Sequence, residues 1–143
     1  MNYSIQLLEK TENERKRIAT DLHDSVSHEL LELKSMIVPD DKNLKNKVDL
    51  ILEEIRTISR NLHPVMFNKI GLLPNLISLS DRHINKTQIK INTEFKYDGA
   101  LNSFAELQLY RIVQEALTNA NKHASASQIW LSLKQTNNQV KLL

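Results

Sequence analysis

The chain has 143 residues, with 19 Lys and Arg against 17 Asp and Glu, a net charge of +2, and no cysteine. That length suits one ordinary domain or two small ones, and 41% apolar with 25% charged residues is ordinary for a soluble globular chain. The composition excludes wholesale disorder, a disulfide scaffold, a thiol nucleophile and a cysteine-ligated metal; it offers no basic block for direct nucleic-acid binding, no apolar run near the ~18 residues of a membrane span, and no signal peptide in MNYSIQLLEK.

Residues 5–38 predict one long helix. Ile18, Leu22, Val26, Leu30, Leu33 and Ile37 recur every three or four positions and make one apolar stripe, ended by Pro39-Asp40-Asp41. A second helix is expected over residues 43–62. There Leu44, Val48, Ile51, Ile55, Ile58 and Leu62 alternate +4 and +3, a heptad seam. Two antiparallel helices joined by a short turn form a hairpin, which has too little partner surface to bury both stripes. Pairing with a second copy would give a four-helix bundle, so a homodimer is expected.

Pro64 ends the second helix after His63, and a linker helix is expected around Pro74 with Leu73, Leu76, Ile77 and Ile84 inward. From Gln88 the period becomes two: Ile89, Ile91, Thr93, Phe95 and Tyr97 alternate with Lys90, Asn92, Glu94 and Lys96, as in a half-buried strand. Asp98-Gly99 is a turn. Ser103 and Glu106 read as a capping box, starting a helix at Phe104 that runs to about His123. Residues 128–134 predict a second strand, 136–139 a turn, and 140–143 the start of a third strand. The fold class is therefore α plus α/β. Residues 1–66 form a helical hairpin, 67–87 a linker helix and 88–143 an α/β part expected to be incomplete.

The two glycines, Gly71 and Gly99, exclude any multi-glycine phosphate cradle within the chain. Side chains must then hold a nucleotide, or glycine loops beyond this sequence must. Two constellations could carry chemistry. The first is ERKRIATDLHDSVSH, residues 14–28. On a helix, His23 lies at the edge of the apolar stripe, and Asp24 and His28 point away as an i,i+4 pair. A solvent-reachable imidazole is a nucleophile when a carboxylate accepts its Nδ1 proton and leaves Nε2 free. The bland alternative is a surface histidine among charged neighbours.

The second constellation is one face of the helix 104–123, where Glu115, Asn119, Lys122 and His123 fall opposite Leu109, Val113, Leu117 and Ala120. A carboxylate and an amide oxygen one turn apart suit Mg²⁺, and Lys122 could meet phosphate charge. A solvated amphipathic face has the same spacing. Of the other histidines, His63 is expected to pack against or cap the end of the second helix. His83, near the end of the linker helix, is expected to suit the helix dipole as a cation. Trp130 reads as core, and no zinc spacing links the five histidines.

Three segments match one family. Residues 14–28 resemble the phosphoacceptor helix of sensor histidine kinases of two-component systems, of the group that pairs with NarL/LuxR-type response regulators. LYRIVQEALTNANKHASASQI, residues 109–129, resembles the N box of their GHKL-type (Bergerat) ATP-binding domain. ISRNLHPVMFNKIGL, residues 58–72, is similar to the segment between them. The resemblance implies a dimeric four-helix bundle followed by an α/β-sandwich ATPase domain, with ATP and Mg²⁺ as cofactors and a response regulator as partner. By the same resemblance His23 is the phosphoacceptor and Asp24 its neighbouring base. His28 stands at the position associated with dephosphorylating the regulator. Asn119 coordinates ATP-bound Mg²⁺, Glu115 matches the acidic N-box position, and Lys122 and His123 lie near the nucleotide phosphates.

The family continues with a D-x-G-x-G turn, a mobile lid and a G-x-G turn, and none of these is in the sequence. The chain is therefore expected to be a truncated piece of a kinase, with ATP-dependent activity impaired. It is expected to be cytoplasmic, a full-length relative being anchored in the bacterial inner membrane through an upstream region missing here. The alternative is a non-catalytic dimeric phosphoacceptor, phosphatase or adaptor module that binds a response regulator. A structural coiled-coil or anti-sigma adaptor would explain the seam but not the His23-Asp24 pair.

Overall fold

The computed structural model describes residues 3–39, 41–64, 67–137 and 139–143. The chain divides into two compact units, residues 1–65 and 66–143. Among the described residues no helix is long and apolar enough to cross a membrane.

The first unit is helical. Helix α1 (Tyr3–Asp21) passes through a π-helical turn (Leu22–Val26) into α2 (Ser27–Met36), and α3 (Lys42–Leu62) packs against all three segments. The expected span is thus helical, but it is not one regular α-helix. The reason lies in the stripe itself. Ile18, Leu22, Val26 and Leu30 advance by fours, and each step overshoots a full turn by ~40° in an α-helix. An i→i+5 turn absorbs one extra residue and recovers about 100° of that drift. All four residues come out half-buried, and Ala19 and Ser27 are buried on either side of the turn. Leu33, expected in the stripe, is exposed because it lies beyond the re-phased segment.

The heptad seam of α3 splits. Of its residues Val48 is buried and Ile55 and Leu62 are half-buried, in one row with the buried Leu52 and Ser59, while Leu44, Ile51 and Ile58 stay exposed on the adjacent face. The Asp41 side chain caps α3 by accepting the Leu44 N–H at 3.0 Å. Lys34 Nζ, near the end of α2, reaches Asp49 Oδ1 on α3 at 2.6 Å and ties the two helices in register.

The second unit contains α4 (Phe67–Ile70), α5 (Leu72–Thr87), β1 (Lys90–Lys96), α6 (Ser103–His123), β2 (Gln128–Thr136) and β3 (Gln139–Leu142). The sheet order is β1-β2-β3. Strands β1 and β2 are parallel, with Ile91 opposite Ile129 and Phe95 opposite Leu133, so α6 is the crossover that joins them. Strand β3 runs antiparallel to β2. One core gathers Phe67, Leu72, Leu76 and Leu79 with Leu107, Tyr110, Val113 and Leu117 of α6 and Ile91, Leu131 and Leu133 of the sheet. The Tyr110 ring meets Phe67 edge-on, centroids 5.8 Å apart at 69°.

Three local expectations are corrected here. Ile77 is exposed, because the buried row of α5 is Leu72, Leu76 and Leu79, and Ile77 lies ~100° off Leu76. The cap of α6 is Asn102, one residue before Ser103: its Oδ1 accepts the Ala105 N–H at 2.9 Å. Glu106, the expected capping-box partner, instead accepts the Tyr97 hydroxyl at 2.7 Å. Trp130 is 68% exposed, because period-two alternation turns Ile129, Leu131 and Leu133 inward and the residue between them outward.

Candidate functional site

His23 sits inside the π-helical turn of the first unit. Its Nδ1 lies 3.0 Å from Asp24 Oδ1, and the two side chains are 51% and 69% exposed. With the carboxylate as acceptor, Nδ1 carries the ring proton and Nε2 keeps an outward lone pair. In that tautomer the imidazole, exposed on a helical scaffold, could act as a nucleophile toward an incoming electrophile. His28, on α2, is also exposed. The expected i,i+4 pairing of Asp24 with His28 is replaced by the His23 contact, because the i→i+5 turn takes positions 24 and 28 out of α-helical alignment.

One turn upstream, Arg17 binds Glu14 at 2.5 Å and Asp21 at 3.3 Å. The Arg17 hydrogen bond holds the Glu14 carboxyl below the usual carboxylate range. Behind His23, the Ser59 hydroxyl of α3 donates to the Ala19 carbonyl at 2.8 Å in a buried contact, and the Ser27 hydroxyl donates to the Leu22 carbonyl at 3.4 Å. Sequence reasoning missed Ser59. Its signal was a small polar residue where the packed row Val48, Leu52 and Ile55 calls for an apolar one.

The second set lies in the other unit, on the last three turns of α6. Glu115, Asn119, Lys122 and His123 are all exposed, projected by the buried row Leu107, Tyr110, Val113 and Leu117. No hydrogen bond joins any of the four to another among the described residues, so all remain open to a ligand. Among the described residues no group of three or more acidic or histidine side chains could hold a metal ion alone. The donor chemistry fits one side of a magnesium polyphosphate. The Asn119 amide and the Glu115 carboxylate are oxygens of the kind that could hold Mg²⁺, and Lys122 could offer a cation to phosphate.

The remaining candidates lie elsewhere. His63 is the buried C-cap of α3, its N–H donating to the Ser59 carbonyl at 2.9 Å. Burial, and secondarily the Lys86 charge, push the His83 imidazole below the usual histidine value. Its expected role as a dipole-matched cation is therefore corrected: the site favours the neutral ring. A hollow of about 290 Å³ beside α6 is lined by apolar side chains, among them Ile112, Ala116, Trp130 and Leu142, and offers no convergent polar groups.

Residues 14–63 match the histidine kinase family. The chain is 32% identical to the sensor histidine kinase LiaS of Bacillus subtilis (strain 168), over 90% of this chain and 39% of that protein. It is 26% identical to the oxygen sensor histidine kinase NreB of Staphylococcus carnosus (strain TM300), over 96% of this chain and 45% of that protein. It is 26% identical to the sensor histidine kinase MctS of Rhizobium johnstonii, over 96% of this chain and 33% of that protein. The chain thus spans less than half the length of these curated relatives. No solved structure matches it.

Proposed function

Because the chain belongs to the sensor histidine kinases of two-component systems, we propose that it is the phosphoacceptor core of such a kinase. In this reading His23 takes the γ-phosphoryl group of MgATP and passes it to an aspartate of a NarL/LuxR-type response regulator. The observation that carries it is the exposed His23 imidazole, oriented through Nδ1 by Asp24, inside the segment that matches the family.

MgATP, when bound, supplies the phosphoryl group and the charge that screens it. The chain's own residues would contribute at the histidine and at the N-box side. Asp24 holds the proton on Nδ1 and stabilises the positive charge that builds on the ring. Nε2 donates its lone pair to phosphorus as the bond to the leaving oxygen breaks, and the electron pair departs with ADP. Transfer of this kind is mostly positioning and electrostatics. Asn119 and Glu115 would hold Mg²⁺, with Lys122 and His123 toward the phosphates, as the N-box side of a GHKL-type domain. The exposed row Leu44, Ile51 and Ile58 supports a second copy packing there to complete a four-helix bundle in the cytoplasm.

The test is labelling in trans. The chain is mixed with labelled ATP, with and without an intact catalytic domain from a related kinase, and His23→Gln is the control. Label that appears with the added domain and vanishes in His23→Gln supports the proposal; no label on the folded chain in either arm overturns it. A second reading is favoured by the exposure of His28 beside His23: a nucleotide-independent module that removes phosphate from a bound regulator. Loss of regulator dephosphorylation in His28→Ala, without ATP present, would distinguish it.

A further inference from the structure

The turn that carries His23 is bracketed by two buried serine hydroxyls which the chemistry above does not use. Ser59 is 1% exposed and reaches forty residues back in sequence to the Ala19 carbonyl, four positions before His23. Ser27, four positions after His23, is also buried, and the Leu22 carbonyl accepts both its hydroxyl and its N–H.

In a regular α-helix the Ala19 carbonyl would accept the His23 N–H. A second donor arriving from α3 competes for that oxygen, and insertion of a side chain into the i→i−4 ladder is a recognised cause of local bending. The π-helical turn begins just beyond this carbonyl, at Leu22. Ala19 is itself buried and carries only a methyl group, so α3 can approach the backbone closely enough for the hydroxyl to reach it. The His23 segment is thereby fixed through its main chain, from the buried side, and the imidazole stays unobstructed on the exposed side.

We propose that Ser59 is a positioning residue for His23: its hydroxyl, by holding the Ala19 carbonyl, maintains the π-helical turn that sets the direction of the imidazole. The functional part of this inference rests on His23 being the phosphoacceptor. The conformational part does not, so the two can fail separately.

The experiment uses the full chain as wild type, Ser59→Ala and Ser59→Thr, with three readouts. Amide hydrogen exchange at positions 22–27 reports the turn. Labelling of His23 by phosphoramidate reports the reactivity of the ring without a protein donor. Labelling by an added catalytic domain with ATP reports presentation of the ring to a partner. In Ser59→Ala, exchange at Val26 and Ser27 is expected to change at least tenfold. Labelling by the domain should fall by about tenfold to a hundredfold, as for a displaced reacting group, while phosphoramidate labelling stays within twofold. Ser59→Thr, which keeps the hydroxyl, should restore both affected readouts.

Wild-type exchange in Ser59→Ala would overturn the proposal, as would domain labelling that survives a changed turn, or a Thr variant as impaired as the Ala variant. If Ser59→Ala does not fold, Ser59→Cys, a far weaker donor of similar size, replaces it with the same expected results. Absence of label on the wild type from both donors would sink the phosphoacceptor reading, and the exchange data would still decide whether Ser59 holds the turn.

Discussion

Nδ1 of His23 lies 3.0 Å from Oδ1 of Asp24, although the two are neighbours in sequence. Successive residues on a helix diverge by ~100° and do not normally face each other. Here the side chains meet within a π-helical turn, and the contact selects the ring tautomer. Asp24→Asn keeps the size but loses the charge that stabilises a proton on Nδ1. Transfer to His23 from an added catalytic domain should slow roughly 10²-fold, the lower range for a misassigned acid–base partner. The rate of label incorporation measures it, with His23→Gln as the zero.

Leu44, Ile51 and Ile58 repeat every seven residues on the face of α3 that its own hairpin leaves uncovered. A heptad row of this kind is the surface a second copy would bury. Ile51→Glu places a charge in its middle. The proposed dimer predicts that sedimentation equilibrium finds the wild type as a dimer and Ile51→Glu as a monomer at the same concentration, with helix content by circular dichroism unchanged. A dimer that persists in Ile51→Glu would place the interface elsewhere.

His83 gives a pH signature. Burial depresses its folded-state value below the usual 6.5, and Lys86 adds repulsion. The unfolded chain therefore binds the proton more readily than the folded one. Stability is complete while the ring is neutral in both states, above the usual value, and falls as pH drops through that value toward the depressed one. Thermal unfolding of the 66–143 unit should move to lower temperature between pH 7.5 and pH 5.5, and His83→Gln should flatten that dependence. An unchanged pH profile in His83→Gln would assign the effect to other groups.

Trp130 is the only tryptophan and stands out from β2. Its fluorescence in the native chain should be quenched by acrylamide nearly as efficiently as that of free tryptophan. Trp130→Ser should change unfolding stability by less than about 0.5 kcal/mol, as for surface positions. A strongly protected fluorophore would contradict the exposed placement.

The sequence carried most of the element order, because its periods switch cleanly from the helical stripes of residues 5–62 to the alternation that starts at Gln88. What it concealed has specific causes. The heptad row of α3 serves two surfaces, so one pattern could not say that Val48, Leu52 and Ile55 face the hairpin while Leu44, Ile51 and Ile58 do not. Asn102 and Ser103 are both good caps, and the Glu106 carboxylate that a Ser103 capping box would use is taken by the Tyr97 hydroxyl from the preceding strand's end. Residue type argues for a buried Trp130, whereas its parity beside Leu131 and Leu133 in β2 turns it outward. The His23-Asp24 pair was legible from chemistry, but the Ser59 contact spans forty residues and depends on how closely two helices approach.

In genetic terms, the π-helical turn is a helix holding one codon more than its packing requires. Deleting Ser25 would leave Ala19 and Ser27 seven positions apart, about 700° around a plain α-helix and within ~20° of two full turns. Both residues could then bury against α3 without any irregularity. Burying Ala19 and Ser27 together therefore does not itself require the extra residue that the π-helical turn accommodates.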